Sequence, residues 1–210
     1  EPSHFSFAQT LANIISVAVE NNRLVKQHII KERISKELEV ASEMQKMLFP
    51  SELPSNRKMD LSGRYIPRHA IGGDYYDYCI HSSEEISILI SDVSGHGIPA
   101  ALIASMVKII FNIKKDLTKK PSEFLSQMNS ILYGNIERQF ITSSCIYVNL
   151  EDKKLHCSNA GHLPLIIYKN KKEILEYKPE GKLIGIYERV DYDEEIVEIS
   201  SGDRIILYTD

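Results

Sequence analysis

Cysteine is scarce. Cys79, Cys145 and Cys157 are the only three in 210 residues, too few and too far apart for a disulfide framework or a CxxC zinc site, and their odd number fits a reducing compartment, the cytoplasm being the simplest. No uninterrupted apolar run reaches the ~18 residues of a membrane span, and the amino terminus lacks the basic-then-apolar layout of a signal peptide. Any membrane tether is therefore expected outside this stretch. Charge of one sign is not in excess either: 25 Lys and Arg stand against 29 Asp and Glu, for a net charge of −4. That is too near neutral for sequence-independent binding to a phosphate backbone, which excludes nucleic acid as the expected partner. The seven histidines include no HExxH and no His/Cys cluster at zinc spacing, and no G-x-S-x-G nucleophile elbow occurs. A zinc hydrolase and a Ser-His-Asp acyl enzyme are thereby unsupported.

What is present is enough for a core. Apolar residues make up 43% of the chain, and the length suggests one full domain plus something smaller. Glycine and proline are missing from Ser3 to Phe49, and Pro50 and Pro54 close that segment, so residues 1–49 are expected to form a helical stalk of one long helix or two. Leu11, Ile15, Ala18, Asn22, Val25 and Ile29 step by four and three, as do Ile34, Leu38, Ala41, Gln45 and Leu48, with a phase slip between Ile29 and Ile34. The slip reads as a hinge or as a simple break. The opposite faces carry Glu20, Arg23, Lys26, Lys31, Glu32, Lys36, Glu37 and Glu43, so the narrow seam needs a cover. Either a twin helix in a homodimer or the chain's own domain could supply it.

Residues 50–210 change texture. Alternating runs at Leu61–Ile66, Tyr75–Ile80, Ile86–Ile90, Ile141–Leu150, Lys154–Ser158 and Leu163–Tyr168 predict strands. Two helical patterns interrupt them, each opened by a proline, Pro99 and Pro121, where the first turn needs no N–H donor. The Pro99 helix is apolar almost all round (Leu102, Ile103, Met106, Val107, Ile110, Phe111, Ile113), which predicts burial on more than one face. The Pro121 helix has a single stripe of Phe124, Leu125, Met128, Ile131, Leu132 and Ile136, suited to covering a sheet.

Three carboxylates stand at strand ends. In A-I-G-G-D-Y-Y-D (70–77) two glycines allow a tight turn before Asp74, which a metal could approach; taken alone the segment also reads as a glycine turn with solvated acids, or as the Gly-Gly-Asp of a diguanylate-cyclase hairpin. In L-I-S-D-V-S-G-H-G-I-P-A-A a buried strand delivers Asp92 into a glycine-punctuated loop that turns straight into a helix. Such a junction suits a divalent cation and a phosphoryl group; a plain helix cap would not need Gly95 and Gly97 around His96. Asp210 closes the apolar run R-I-I-L-Y-T-D, and a chain stopping at the tip of a core strand is expected to continue. Mg²⁺ and Mn²⁺ prefer hard oxygen donors and retain several waters, so a few aspartates would suffice to hold them.

Four segments in order, I-G-G-D-Y-Y-D (71–77), S-D-V-S-G-H-G-I-P-A-A-L (91–102), S-N-A-G-H-L-P (158–164) and G-D-R-I-I-L-Y-T-D (202–210), resemble the SpoIIE/RsbU branch of the PP2C-type metal-dependent serine/threonine phosphatases. The resemblance covers about residues 38–210, and the co-occurrence of four motifs removes the cyclase reading. It implies an α+β fold, an αββα sandwich of two antiparallel sheets flanked by helices, with two Mn²⁺ or Mg²⁺ ions at one sheet edge. By motif, Asp92 bridges both ions, Asp74 and Asp210 each bind one, the Val93 carbonyl completes a coordination sphere, and a further family aspartate lies beyond Asp210. Two such cations about 4 Å apart activate a water for in-line attack on phosphorus. His96 could protonate the leaving serine or threonine oxygen or cap its loop. Asn159, Gly161 and His162 read as structural support. One local departure is Ala70-Ile71, where the family usually has an acid followed by an aliphatic residue.

The resemblance also implies a substrate, a phosphorylated STAS-type anti-anti-sigma protein in a sigma-factor pathway. The segment at 5–24 resembles the last helix of a GAF sensor domain. The alternative is a catalytically silent phosphatase-like scaffold that binds its partner without turnover.

Overall fold

The computed structural model describes residues 2–68, 70–136, 138–170 and 173–210, with side chains from residue 7 onward. The chain divides into two compact units, Glu1–Glu43 and Met44–Asp210. The first unit is almost all of helix α1, Pro2–Lys46, which runs unbroken through Ile29–Ile34. Its apolar side chains, Leu11, Ile15, Val25, Ile29 and Ile34 among them, are exposed. Pairs at helical spacing, Glu20–Arg23, His28–Glu32 and Arg33–Glu37, decorate it. Exposed pairs of this kind contribute only about 0.3–0.5 kcal/mol each, so they cannot substitute for a covered seam.

The second unit is an α+β sandwich. Strands β1 (Tyr75–Ile80), β2 (Glu85–Val93), β3 (Ile141–Asn149), β4 (Lys154–Ala160), β5 (Leu165–Lys169), β6 (Glu173–Tyr177), β7 (Glu194–Glu198) and β8 (Arg204–Ile206) form two sheets. The larger has the order β1-β2-β3-β4-β7, the smaller β6-β5-β8, and every ladder is antiparallel. Helices α2 (Ile98–Ile113) and α3 (Pro121–Leu132) complete the unit, joined by a 3₁₀ turn at Lys115–Lys119.

Side-chain parity sorts the core. Along β3, Ile141 and Cys145 join a cluster with Val107, Phe111, Phe124 and Met128 of the helices, while Ile146 and Val148 join Leu165 and Ile167 of the small sheet. Alternation is a property of the pleat, so one strand feeds both layers. Asp92 shares the parity of Ile86 and Ile88, which face the small sheet. Its carboxylate therefore belongs to the mouth of the inter-sheet space rather than to the helix side.

Three expectations change. Leu61–Ile66 forms no strand; apart from a bridge of Ser55 to Asp60 and a bond from the Leu61 N–H to the Pro54 carbonyl, this stretch joins no ladder. The Pro99 helix buries one face only: Ala100, Ile103, Ala104, Val107, Ile110 and Phe111 are covered, whereas Ile98, Leu102, Ile109 and Ile113 are exposed. Apolar composition all round reported its hydrophobicity but not a second partner. Finally, R-I-I-L-Y-T-D is paired only as far as Ile206, so Asp210 lies beyond the ladder rather than at its tip.

Candidate metal centre

The two glycine-flanked motifs meet because β1 and β2 are neighbours. Tyr75 pairs with Ser91, and the Val93 N–H donates to the Gly73 carbonyl at 3.4 Å, which continues the register outward and sets Asp74 opposite Asp92. On the other side of β2, Asp92 pairs with Thr142 of β3. A row across the mouth of the large sheet thus reads Asp74, Asp92, Thr142.

Gly73 is required by close approach. A β-carbon there would lie 2.6 Å from the Val93 carbonyl oxygen and 3.3 Å from the Ala100 β-carbon, so only glycine lets the strand pass beside the expected ligand carbonyl. After Val93 the chain turns through Ser94–Gly97, with Gly95 and Gly97 at φ 89° and 79°, a left-handed region that favours glycine. His96 is exposed between them. The loop is held from the side: the Ser94 N–H donates to the Phe140 carbonyl and the Phe140 N–H donates to Ser94 Oγ, both at 2.9 Å. Asp77 of the first motif does not belong to this row. It faces α2, where it accepts from the Tyr75 hydroxyl and pairs with Lys108 at 3.8 Å.

The acids perturb one another. Burial, reinforced by Asp74 and Asp210, pushes the Asp92 carboxyl up to about 6. Burial also raises Asp74, with Asp210 adding to the rise and a Thr209 hydrogen bond opposing it. Desolvation and like charge both disfavour the ionised form, and a divalent cation would offset both. Among the described residues no three His, Cys, Asp or Glu side chains converge closely enough to hold an ion unaided. The donor set itself, hard oxygens from Asp74, Asp92, Asp210 and a backbone carbonyl, fits Mg²⁺ or Mn²⁺ rather than a soft ion.

Asp210 reaches this row from the small sheet, and the S-N-A-G-H-L-P turn explains how. Asn159, buried, accepts the His162 N–H at 2.7 Å and donates to the carbonyls of His162 and Leu163 at 3.2 Å each. His162, also buried, contacts Thr142 Oγ1 through Nδ1 at 2.7 Å and the Tyr208 carbonyl through Nε2 at 3.1 Å. Burial lowers its pKa, against the opposing pull of the Tyr208 carbonyl and Asp210. A carbonyl only accepts, so Nε2 carries the proton, Nδ1 is the acceptor and the Thr142 hydroxyl donates.

Gln45 was legible only as a polar residue at an apolar seam position, and its task appears in the structure. It is buried; its side-chain amide donates to the Gly72 carbonyl at 2.6 Å, and its side-chain carbonyl accepts the Gly72 N–H at 3.1 Å. Phe49 follows it and stacks on Tyr65 at 4.3 Å. Burial and the Asp74 charge raise the Tyr65 phenol. The last turn of α1 and the loop before Asp74 are thus bonded to each other within the second unit.

Comparison with known proteins places the fold. Two antiparallel sheets with helices match the SiaA-PP2C domain of Pseudomonas aeruginosa, with a TM-score of 0.69 at 21% identity over 83% of this chain and 71% of that one. They also match RsbX in complex with magnesium, with a TM-score of 0.55 at 15% identity over 64% of each chain. The fold is that of a PP2C-like domain. Residues 82–210 match the family described as Stage II sporulation protein E (SpoIIE), and the chain belongs to that family. The phosphoserine phosphatase RsbU of Bacillus subtilis (strain 168) is 30% identical over 183 residues, 86% of this chain and 54% of RsbU; the chain thus spans about half the length of that relative.

Proposed function

We propose that this chain is the catalytic part of a metal-dependent phosphoprotein phosphatase, acting on phosphoserine or phosphothreonine of a small STAS-type anti-anti-sigma protein in the cytoplasm. The observation that carries this is the carboxylate group at the sheet mouth, in which Asp92 is held up to about 6 by burial and by Asp74 and Asp210. A fold gains nothing from crowding like charges at one edge, whereas a cation site does. RsbU, by its name, is a phosphoserine phosphatase, and RsbX is a fold neighbour that carries magnesium; both support the reading.

Asp92, with Asp74 opposite it in register, Asp210 close enough to raise its carboxyl and the Val93 carbonyl alongside, would hold the ions. When bound, the ions would supply an activated water and neutralise the phosphoryl oxygens. The chain's own residues do the rest. The exposed Gly95 and His96, with the start of α2, would offer backbone N–H groups to an anion, and His96 is the candidate proton donor to the leaving serine oxygen. Among the described residues no helix is long and apolar enough to cross a membrane. The exposed seam of α1 suits a parallel homodimer, which sedimentation of the full-length protein at micromolar concentration would reveal; a monomer there would remove it.

One observation favours a second reading, a silent module that binds its partner without turnover: among the described residues no three His, Cys, Asp or Glu side chains converge unaided. The test is release of phosphate from a phosphoserine STAS protein by the full-length protein with Mn²⁺, beside Asp92→Asn. Turnover abolished by the substitution supports the phosphatase. Partner binding retained in both proteins, with no turnover in either, supports the scaffold.

A further inference from the structure

We propose that His162 is the positioning residue that fixes Asp210 relative to Asp92, a statement that rests on the metal-centre reading for its consequence but on the geometry alone for its mechanism. Asp92 and Thr142 are direct cross-strand partners in the large sheet. Thr142 Oγ1 lies 2.7 Å from His162 Nδ1, and His162 Nε2 lies 3.1 Å from the Tyr208 carbonyl, just before Asp210. One imidazole therefore links the strand beside one carboxylate to the segment carrying the other, using both ring nitrogens.

The link matters because Asp210 has no ladder to hold it. Pairing between β5 and β8 ends at Ile166 with Ile206, and the chain from Leu207 to Asp210 forms no strand. Leu207 packs into the inter-sheet cluster and Thr209 contacts Asp74, but the backbone of this stretch is gripped at the Tyr208 carbonyl. A backbone free to shift there by an ångström would change the spacing of Asp210 from Asp92, and metal ligands tolerate little such error.

The turn is built to aim this ring. Asn159 fastens its backbone at both His162 and Leu163. Gly161, at φ 69°, has Leu183 so close that a β-carbon would meet it at 2.6 Å. A phenylalanine at 162 would fill the volume and yet lack both bonds, so packing does not account for histidine. A glutamine keeps an N–H near the Nε2 position and can still serve Tyr208.

The test uses the full-length protein with His162→Ala, His162→Gln and Thr142→Val. Backbone order parameters of Leu207–Asp210 are measured by NMR without metal, and Mn²⁺ affinity by calorimetry. Loss of an outer partner typically costs about 10–100-fold in metal affinity. The alanine variant is expected to weaken Mn²⁺ by that range and to drop order parameters from about 0.85 to below about 0.6 at 207–210 while β3 stays rigid. Glutamine recovers most of both, and valine at 142 has a smaller effect in the same direction. Should the alanine variant fail to fold, the valine variant carries the same comparison. Unchanged order at 207–210 overturns the tether, and increased mobility with unchanged Mn²⁺ affinity overturns its positioning role. If the unsubstituted protein binds no Mn²⁺ while the variants loosen 207–210 as expected, the tether stands and it is the metal-centre reading that fails.

Discussion

Replacing Gln45 by alanine removes two hydrogen bonds at once from Gly72, one to its carbonyl and one from its N–H. An unsatisfied buried backbone group costs about 1–3 kcal/mol. Gly72 is only half-buried, so water restores part of this, and the lower end applies to each group, or about 2 kcal/mol together. For a unit of this size that is a fall in melting temperature of roughly 4–8 °C. Because Gly72 immediately precedes Gly73 and Asp74, the loss should not stay local. The Gly72 amide should exchange faster with solvent, and Mn²⁺ should bind more weakly. The assay is thermal unfolding by circular dichroism together with amide exchange across Ile71–Asp74. A melting temperature within a degree of the parent, with unchanged exchange at Gly72, would refute the reasoning, since it would mean that the buried amide is not holding the loop.

Further predictions follow from the same site. Asp92→Asn removes an acid that burial and two neighbours hold up to about 6, so the metal-free protein should melt a few degrees higher at pH 7 while losing Mn²⁺ binding. The pH dependence has a definite sign. The folded-state pKa of Asp92 lies above its ordinary value, so its ionisation disfavours the fold, and metal-free stability should decline as pH rises from about 4 to about 6 and then level off. Mn²⁺ affinity should run the other way, weakening up to tenfold per unit as pH falls below about 6, because proton and metal compete for one carboxylate; a flat profile from pH 5 to 7 would contradict the assignment. Gly73→Ala sets a β-carbon 2.6 Å from the Val93 carbonyl oxygen and should cost about 1–3 kcal/mol by overpacking, with Mn²⁺ binding weakened in step. Equal melting temperatures would show that the strand yields without cost.

Much of this was legible in the sequence because local rules agreed with tertiary ones. Tyr75–Ile80 alternates and is a strand over the same residues. Pro99 and Pro121 open the two helices as their missing N–H groups allow. The first glycine motif leads into β1 and the second leaves β2, and adjacency of the two strands sets Asp74 opposite Asp92; that the two motifs belong together was legible only through the family resemblance. What escaped was nonlocal. Leu61–Ile66 alternates as well as β1 does but finds no ladder, and alternation is silent about partners. The outer face of α2, with Ile98, Leu102, Ile109 and Ile113 exposed, looks buried in sequence for the same reason. Glu173–Tyr177 and Glu194–Glu198 carry so many acids that their strand character was masked. Gln45, Thr142 and His162 act through bonds to residues 27, 20 and 46 positions away, distances over which no spacing rule operates.

The central claim is that Asp74, Asp92 and Asp210 together hold divalent cations, and calorimetric titration of Mn²⁺ tests it most directly, on the full-length protein with and without Asp92→Asn. The account predicts binding of two ions to the full-length protein that the substitution abolishes. Absence of Mn²⁺ binding at millimolar concentration in the full-length protein, or binding that Asp92→Asn leaves intact, would contradict it.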